Sequence, residues 1–203
     1  MKVALIGASG RAGSKILAEL SARNHPVTAI ARDRARIATL PGVTAISADA
    51  SDSNTLGELL RGHDVAISAV KFSQVEPAKL IAAVKAAGVG RYLVVGGAGS
   101  LLDPSGKRLV DTPDFPGAYK AEALAGVAFL ELLRAEPELD WTFLSPAFSF
   151  VDGPRTGHFR LGGDAMLKAP DGLTKISFAD YAIALVDEIE LPAHQRQRFS
   201  VAY

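Results

Sequence analysis

The architecture of the chain is set near its start by residues 2–13, which read KVALIGASGRAG. The run Lys2–Ile6 is almost wholly apolar and ends at a glycine, as expected of a strand that is buried on both faces. Residues 11–23 then carry apolar side chains at helical spacing. The spaced glycines therefore lie in a turn that joins a buried strand to a helix.

The three glycines of this turn have distinct expected roles. Gly7 permits a tight turn, Gly10 lets the backbone approach a pyrophosphate, and Gly13 lets the helix pack close to the strand. The amides and the dipole of the first helical turn would hold the anion. A tight turn without a ligand is the alternative, but three glycines weaken a turn and a helix start unless a ligand uses them. In this context the pattern predicts a dinucleotide site.

Two arginines sharpen this prediction. Arg11 lies in the first helical turn, where a cation is mildly unfavourable unless a phosphate is close. Arg32 follows a second predicted strand, 27–31, at the position expected to contact the ribose next to the adenine. A guanidinium suits a 2′-phosphate, so the sequence favours NADP over NAD. The neighbouring Asp33 leaves NAD open, and a solvated helix start without a ligand is a further interpretation.

Short apolar runs alternate with helical patterns along most of the chain. This alternation predicts βαβ units and a mostly parallel sheet covered on both faces, which is an α/β, Rossmann-like doubly wound fold. The further predicted strands are 43–48, 64–70, 91–95, 141–145, 175–178 and, as a closing edge strand, 197–203. The further predicted helices are 53–60, 75–87, 118–134 and 180–189.

The C-terminal part of the chain breaks this alternation. We expect a single domain over residues 1–203, in which residues 147–178 form much of a small cap on the substrate side. Within the cap, residues 158–161 and 165–168 are predicted to pair as a hairpin. The aperiodic stretch 97–116 has the length of a functional lid or a disordered segment.

The composition argues against several classes of protein. Apolar residues make up 48% of the chain and charged residues 22%, the usual mix of a soluble globular protein. Because 22 basic residues balance 22 acidic ones, no net field would attract nucleic acid or an anionic membrane. With no Cys and four scattered histidines, no metal site is expected. His25 and His63 are predicted in surface turns.

The same features suggest where the protein acts and on what. The first apolar run is too short for a signal peptide or a membrane span. The absence of cysteine fits a reducing compartment. We therefore expect a cytoplasmic protein whose partner is a small-molecule substrate.

The GASGRAG turn, together with Arg32, resembles the atypical short-chain dehydrogenase/reductase superfamily. Later blocks resemble one branch of it, the NADH-flavin reductases related to biliverdin-IXβ reductase. These blocks are YLVVGGAGS (92–100), DWTFLSP (140–146), RTG (155–157) and SFADYA (177–182). The resemblance spans nearly the whole chain and implies a Rossmann-like domain that binds a nicotinamide dinucleotide and reduces flavins.

Carried onto matching positions, the resemblance implies contacts with every part of the cofactor. Gly7, Ser9, Gly10, Arg11 and Gly13 would surround the pyrophosphate and adenosine, with Arg32 at the 2′-phosphate and Asp49 beside the adenine. Ser68, Ala69, Val70 and Lys71 would lie near the riboses, and Pro146 and Phe148 would border the nicotinamide. Ala12, Ala50, Gly96 and Gly97 complete the implied cofactor-binding set.

The chain departs from orthodox short-chain dehydrogenases, which use a Tyr followed four positions later by a Lys. Tyr119 and Lys120 are adjacent, so on a helix their side chains would point about 100° apart. Alcohol oxidation by that dyad is therefore not expected. Flavin reduction needs two aligned planes and the exclusion of water rather than a tuned base, because the cofactor supplies the difficult chemistry. Candidate proton or hydrogen-bond donors are Tyr119 and Ser100. Candidate ring neighbours are Phe115, Phe148 and Phe150, although core packing is the favoured interpretation of each of these rings.

Three functions follow from these observations. The leading hypothesis is an NADP-preferring oxidoreductase that passes hydride to a flavin or a similar planar acceptor. The missing dyad motivates a second hypothesis, a regulatory protein that binds NADP and senses redox state without turnover. A nucleotide-sugar epimerase or dehydratase is the third, and both the missing dyad and the small C-terminal segment disfavour it.

Overall fold

A computed structural model describes residues 1–203 and confirms the α/β, Rossmann-like fold. The strands are β1 Val3–Ile6, β2 Val27–Ala31, β3 Val43–Ser47, β4 Val65–Ser68, β5 Arg91–Val95, β6 Asp140–Pro146, β7 Ser149–Val151, β8 Arg160–Gly162, β9 Lys175–Ser177 and β10 Gln197–Ala202. The helices are α1 Arg11–Ala22, α2 Ser53–Leu60, α3 Pro77–Ala86, α4 Gly117–Arg134 and α5 Phe178–Glu190.

Eight strands form one sheet in the order β3-β2-β1-β4-β5-β6-β10-β8. All neighbours run parallel except β8, which pairs antiparallel with β10. The strand order reverses between β1 and β4, and in open α/β sheets the crevice beyond the carboxyl ends at such a point is where ligands bind. Strands β7 and β9 form a separate two-stranded sheet.

Both faces of the sheet are covered, which gives the molecule two apolar cores. Alternate residues of β1 point to opposite sides: Val3 and Leu5 join the core under α1 and α5, whereas Ala4 and Ile6 join the core under α2, α3 and α4. All four side chains are at most 1% exposed, which explains why the run is continuously apolar. No helix in the structure is long and apolar enough to cross a membrane.

The predicted helix over 75–87 begins later than its apolar pattern suggested. Residues Phe72–Gln74 form a short 3₁₀ helix, and α3 starts at Pro77. Proline suits the first position of a helix, because its fixed φ fits there and its missing N–H has no partner to lose. Consequently the segment between β4 and α3 is a compact turn at the carboxyl edge of the sheet.

The predicted hairpin between 158–161 and 165–168 is wrong. Arg160–Gly162 pairs with β10 instead, with Ser200 opposite Gly162. The backbone of residues 164–166 pairs with Leu102, which donates to the carbonyl of Asp164 and accepts from Met166, both at 2.9 Å. Distant segments therefore supply the hydrogen bonds that a local turn would otherwise have provided.

Two further predictions in this region need correction. The strand at 197–202 is not at the edge of the sheet, because β8 covers its outer side. The stretch 97–116, for which a functional lid or a disordered segment was expected, is not disordered. It contains two short 3₁₀ helices, Ala98–Ser100 and Leu109–Asp111. Its pairing with residues 164–166 holds it against the body of the protein.

His25 and His63 were expected in surface turns, but both side chains are buried. His25 is 8% exposed, and its Nε2 lies 2.8 Å from a carboxylate oxygen of Glu190. His63 is 7% exposed, and its Nε2 lies 2.8 Å from the hydroxyl of Thr28. Each histidine has a polar partner distant in sequence, so burial does not leave its ring nitrogens unsatisfied.

The segment after β7 is fastened to the body of the protein by Asp180, the third residue of α5. Its carboxylate accepts from the backbone N–H groups of Thr156 (2.7 Å) and Gly157 (2.9 Å). It also accepts from the hydroxyls of Thr156 (2.6 Å) and Tyr203 (2.8 Å). The RTG and SFADYA blocks thus contact each other, and Asp180 anchors structure.

Replacing Asp180 by Asn should destabilise the protein in a pH-dependent way. Burial by itself raises the pKa of Asp180, but the hydrogen bonds from Thr156, Gly157 and Tyr203 outweigh it and hold the pKa below its ordinary value. The ionised form is thus favoured by folding. We expect Asp180→Asn to lower the free energy of unfolding by about 2 kcal/mol at pH 7.

The difference between wild type and variant should persist above about pH 5 and shrink as the pH falls through about 4, where the unfolded carboxyl takes up its proton. Denaturant unfolding across this range measures it, with Asp152→Asn, at an exposed residue of the same segment, as the control. A pH-independent difference would contradict the assignment.

Candidate functional site

A cavity of about 460 Å³ lies beyond the carboxyl ends of the first four strands. It is lined by Ile6, Gly7, Ser9, Gly10, Ile30, Ala31, Arg32, Arg36, Ala48, Asp49, Ala50, Ala69, Val70, Lys71, Gln74 and Val75. These residues follow β1, β2, β3 and β4, so the cavity extends across the point where the strand order reverses. Nine residues of the implied cofactor-binding set are among them.

The glycine turn forms the floor of this cavity. Gly7 has a φ of +86°, and a Cβ atom there would lie 2.5 Å from the carbonyl oxygen of Ala69. A Cβ atom at Gly13 would lie 2.1 Å from the carbonyl oxygen of Gly7, far inside van der Waals contact. The first helix can therefore approach the strand only without side chains at both positions. These are the tight-turn and close-packing roles expected for Gly7 and Gly13.

Gly10 has a different environment. It precedes α1 with an extended backbone (φ −74°, ψ 168°), and no side chain caps the helix there. The N–H groups of the first helical turn have no partners within the helix, so an uncapped N-terminus beside a cavity is suited to an anion. Gly10 is exposed and lines the cavity, which leaves the ligand side of the turn open.

The charged residues around the cavity are mostly cationic. Arg32, Arg36 and Lys71 line it, against one carboxylate, Asp49. The backbone N–H and hydroxyl of Ser51 donate to Asp49 at 2.9 and 2.8 Å. These bonds, with a smaller effect of the Arg32 charge, hold the pKa of Asp49 below its ordinary value. The cavity therefore offers an ionised acceptor at one place and an excess of positive charge at its rim.

Asp33, the residue that left NAD open, does not line the cavity. Its side chain accepts from the backbone N–H of Ala35 at 3.0 Å and caps the 3₁₀ helix Arg34–Arg36. That short helix brings Arg36 to the same cavity as Arg32. The carboxylate of Asp33 is thus engaged within the local turn, and the guanidinium groups of Arg32 and Arg36 lie at the cavity.

Several residues of the implied cofactor-binding set lie outside the cavity. Arg11 extends over the ring of Phe178, with its guanidinium carbon 5.4 Å from the ring centroid. This cation–π contact gives Arg11 a partner other than a phosphate. Ser68 is buried, and its Oγ accepts from the hydroxyl of Tyr92 at 2.9 Å. Ala12 packs against the core beneath α1.

The other outlying residues follow the next two strands. Gly96 is packed tightly, since a Cβ atom there would lie 2.6 Å from the carbonyl oxygen of Leu144. Gly97 lies two residues after β5, and the buried Pro146 is the last residue of β6. Phe148, two residues beyond β6, is 43% exposed. These positions lie beyond β4, on the side of the sheet away from Arg32.

The two candidate donors differ sharply in accessibility. Ser100 ends a 3₁₀ helix and is 8% exposed, and its hydroxyl has no hydrogen-bond partner in the structure. Tyr119 lies in the first turn of α4 and is 65% exposed. Lys120 follows Tyr119 directly on the helix, and Ala123 stands four positions after Tyr119. The helix therefore carries no Tyr–Lys pair at four-residue spacing from Tyr119.

Two polar or charged residues of the cavity, Arg36 and Gln74, were missed in the sequence, as was the neighbouring Val75. Arg36 had only a weak signal, its place four residues after Arg32, because Arg32 lies before the 3₁₀ helix Arg34–Arg36 rather than in it. Gln74 and Val75 had no such signal. Their position depends on the 3₁₀ helix and on Pro77, which together fold the chain back toward the cavity.

The sheet order, the glycine turn and the cationic cavity define a Rossmann-like dinucleotide-binding protein. Residues 7–190 match the NAD(P)H-binding family. The chain belongs to this family.

Similar proteins cover the whole length of the chain. The uncharacterized protein YwnB of Bacillus subtilis is 40% identical over 212 residues, which cover 99% of this chain and 98% of that protein. A "putative NADH-flavin reductase" from Streptococcus pneumoniae is 40% identical with a TM-score of 0.85, covering 100% of this chain and 99% of its own. A "putative epimerase" from Bacteroides thetaiotaomicron is 39% identical with a TM-score of 0.95, covering 100% and 96%.

Proposed function

We propose that the protein is an NADPH-dependent oxidoreductase that reduces a flavin or a similar planar acceptor. The observation that carries the cofactor assignment is the pairing of Arg32 and Arg36 at one cavity with the uncapped N-terminus of α1. A dinucleotide with a 2′-phosphate carries negative charge at two separated places, and this cavity offers cationic or N–H donor groups at both. The S. pneumoniae relative supports the acceptor class.

Each part of the cavity has a role in this proposal. The turn around Gly10 and the first N–H groups of α1 would hold the pyrophosphate, and the two arginines would hold the 2′-phosphate. Asp49 would accept a hydrogen bond from the adenine amino group, and Lys71 would contact a ribose or the phosphates. The nicotinamide would then extend past β4 toward Gly97 and Pro146. The cavity residues thus bind and orient the dinucleotide.

The acceptor side is proposed beyond β6. Phe148 packs edge-to-face against Phe115, with centroids 5.9 Å apart, and remains 43% exposed. Its backbone N–H donates to the hydroxyl of Thr174 at 3.2 Å, which ties it to the cap. Phe150, by contrast, packs against Phe178 and Tyr181 with centroids 4.4 and 4.7 Å away. Phe115 and Phe148 therefore offer a ring surface, whereas Phe150 belongs to the interior.

NADPH would supply one hydride, which is a proton with two electrons, to the oxidised acceptor. A proton from solvent would complete the reduced product. This chain's residues need to align two planes and exclude water. No tuned tyrosine is required, which agrees with an exposed Tyr119 that lacks the dyad lysine. A second candidate function, a redox sensor without turnover, takes its support from the same missing dyad.

Oxidation of NADPH by the purified protein, followed at 340 nm with FMN, FAD and a quinone in turn, tests the proposal. We expect protein-dependent turnover with a flavin, faster with NADPH than with NADH. Saturable binding of NADPH without oxidation by any acceptor would favour the sensor. Absence of binding would contradict both functions.

Replacing Phe148 by Ala should raise the KM for the flavin about fivefold, because an aromatic contact of this kind contributes about 1 kcal/mol. The Kd for NADPH should not change. Leu191→Ala, at an exposed apolar residue just after α5, is the matched control. Phe148→Trp should retain the low KM, since it keeps a ring. An unchanged KM in Phe148→Ala would place the acceptor elsewhere.

A further inference from the structure

One carboxylate outside the cavity holds part of its wall in place. Glu122, in the second turn of α4, extends to the segment after β4. Its Oε1 accepts from the backbone N–H of Phe72 at 2.7 Å, and its Oε2 accepts from that of Ser73 at 3.0 Å. About fifty residues of chain separate the donors from the acceptor, so the contact is purely tertiary.

The two N–H groups belong to the start of the 3₁₀ helix Phe72–Gln74. The first N–H groups of any helix lack partners within it. Lys71 occupies the capping position here, and its side chain makes no capping hydrogen bond. Glu122 therefore supplies the cap that the local sequence does not.

The aromatic ring of Phe72 is fixed by the same helix and by the sheet. It packs edge-to-face on Phe129 at 5.7 Å and parallel to Phe143 at 6.0 Å. A Cβ atom at Gly126, one turn after Glu122, would lie 2.8 Å from this ring. Backbone and ring of Phe72 are thus both held by α4.

The residues on either side of Phe72 line the nucleotide cavity. Lys71, Gln74 and Val75 are part of its wall, whereas Glu122 is not. We propose that Glu122 is a positioning residue, which sets the place of Lys71 and Gln74 against the bound nucleotide through its two hydrogen bonds. The inference rests on the proposed function, because it requires that the cavity take NADPH.

The direction of the effect separates positioning from charge. The nucleotide is an anion, so removal of a nearby carboxylate should by charge alone strengthen its binding. Positioning predicts the opposite, since a displaced wall loses contacts and must be ordered again on binding. Loss of affinity in a variant that removes negative charge is therefore the informative result.

The experiment is calorimetric titration of the full chain with NADPH and with 2′,5′-ADP. The second ligand is the adenosine half of NADPH, with its 2′-phosphate and its 5′-phosphate. Glu122→Ala should weaken NADPH binding about tenfold, because two charge-assisted hydrogen bonds to the turn are lost. Glu131→Ala, on the same helix and paired only with the exposed Arg134, is the matched control and should change it less than about twofold.

A double-mutant cycle with Lys71→Ala separates positioning from a general loss of stability. It compares the loss of NADPH affinity caused by Glu122→Ala in the presence of Lys71 with the loss in the Lys71→Ala background. If Glu122 acts through this wall, its substitution should cost at most about threefold in the Lys71→Ala background, because groups that act together are not additive. Equal losses in both backgrounds would overturn the proposal, as would unchanged or tighter binding by Glu122→Ala.

Three outcomes have separate meanings. If Glu122→Ala does not fold, Glu122→Gln takes its place: it retains one acceptor oxygen and should weaken binding about threefold, and no loss would overturn the inference. If the wild-type protein binds neither NADPH nor 2′,5′-ADP, the proposed function fails, and the inference fails with it. If wild type binds and the variants bind equally well, only the role of Glu122 is rejected.

Discussion

Replacing Arg32 by Glu should weaken NADPH binding about a hundredfold and should change NADH binding less than about threefold. Only NADPH carries a 2′-phosphate. In the variant this phosphate would lose its charge-assisted hydrogen bonds and would face a carboxylate that repels it. Arg32 is exposed and lines the cavity, so its substitution should leave the fold intact. Fluorescence titration with both nucleotides measures the two constants.

The control is Arg34→Glu, which makes the same charge change two residues away. Arg34 is the first residue of the 3₁₀ helix Arg34–Arg36, close to Arg32 in the chain, but it does not line the nucleotide cavity. We expect less than about threefold change for either cofactor, since screened charges outside a contact contribute little. Equal losses of affinity for NADPH and NADH in Arg32→Glu would reject the 2′-phosphate assignment. Equal losses of NADPH affinity in Arg32→Glu and Arg34→Glu would mean that the effect comes from the overall positive charge of this region rather than from a contact.

Replacing Gly10 by Val should abolish binding of both cofactors and preserve the fold. The backbone at Gly10 is in an extended conformation that L-residues adopt readily, and a Cβ atom there would meet its nearest neighbour, the Gly7 carbonyl oxygen, at 3.2 Å. The branched side chain would instead fill the space proposed for the pyrophosphate. We expect no saturation at millimolar nucleotide, with a near-native circular dichroism spectrum. Retained binding would mean that the turn is only structural.

Gly13→Ala is the contrasting variant. There a Cβ atom would lie 2.1 Å from the backbone oxygen of Gly7, so the helix must move away from the strand. Overpacking of this kind costs about 1–3 kcal/mol or more, and here the obstacle is backbone, which cannot rotate away. Thermal unfolding should therefore show a lower midpoint for Gly13→Ala than for Gly10→Val. The reverse order would contradict the division of roles between the two glycines.

The fold could be predicted from the sequence because its signals are local. A strand buried on both faces needs an unbroken apolar run, and a helix packed on one side repeats its apolar residues at helical spacing. Both patterns are present from Lys2 onward, and the observed strand and helix bounds differ from the predicted ones by only a few residues at each end. The glycine spacing and Arg32 are local signals of the same kind.

Where the partner was distant, local signals misled. The residues around Gly162 were predicted to form a hairpin, but their backbone groups form hydrogen bonds with β10 and with Leu102 instead. His25 was predicted in a surface turn, but its side chain is buried and its Nε2 lies 2.8 Å from a carboxylate oxygen of Glu190. In each case a contact more than thirty residues away in the sequence supplied the hydrogen-bond partner.

The sequence by itself determined the class of fold, the glycine turn and the position of Arg32, because each depends on residues within one strand–turn–helix unit. Only the tertiary structure decided that Gln74 lines the cavity and that Glu122 caps the turn at Phe72. The physical reason is that a backbone N–H donates to any suitably placed oxygen, and which oxygen is placed there depends on how the helices pack on the sheet.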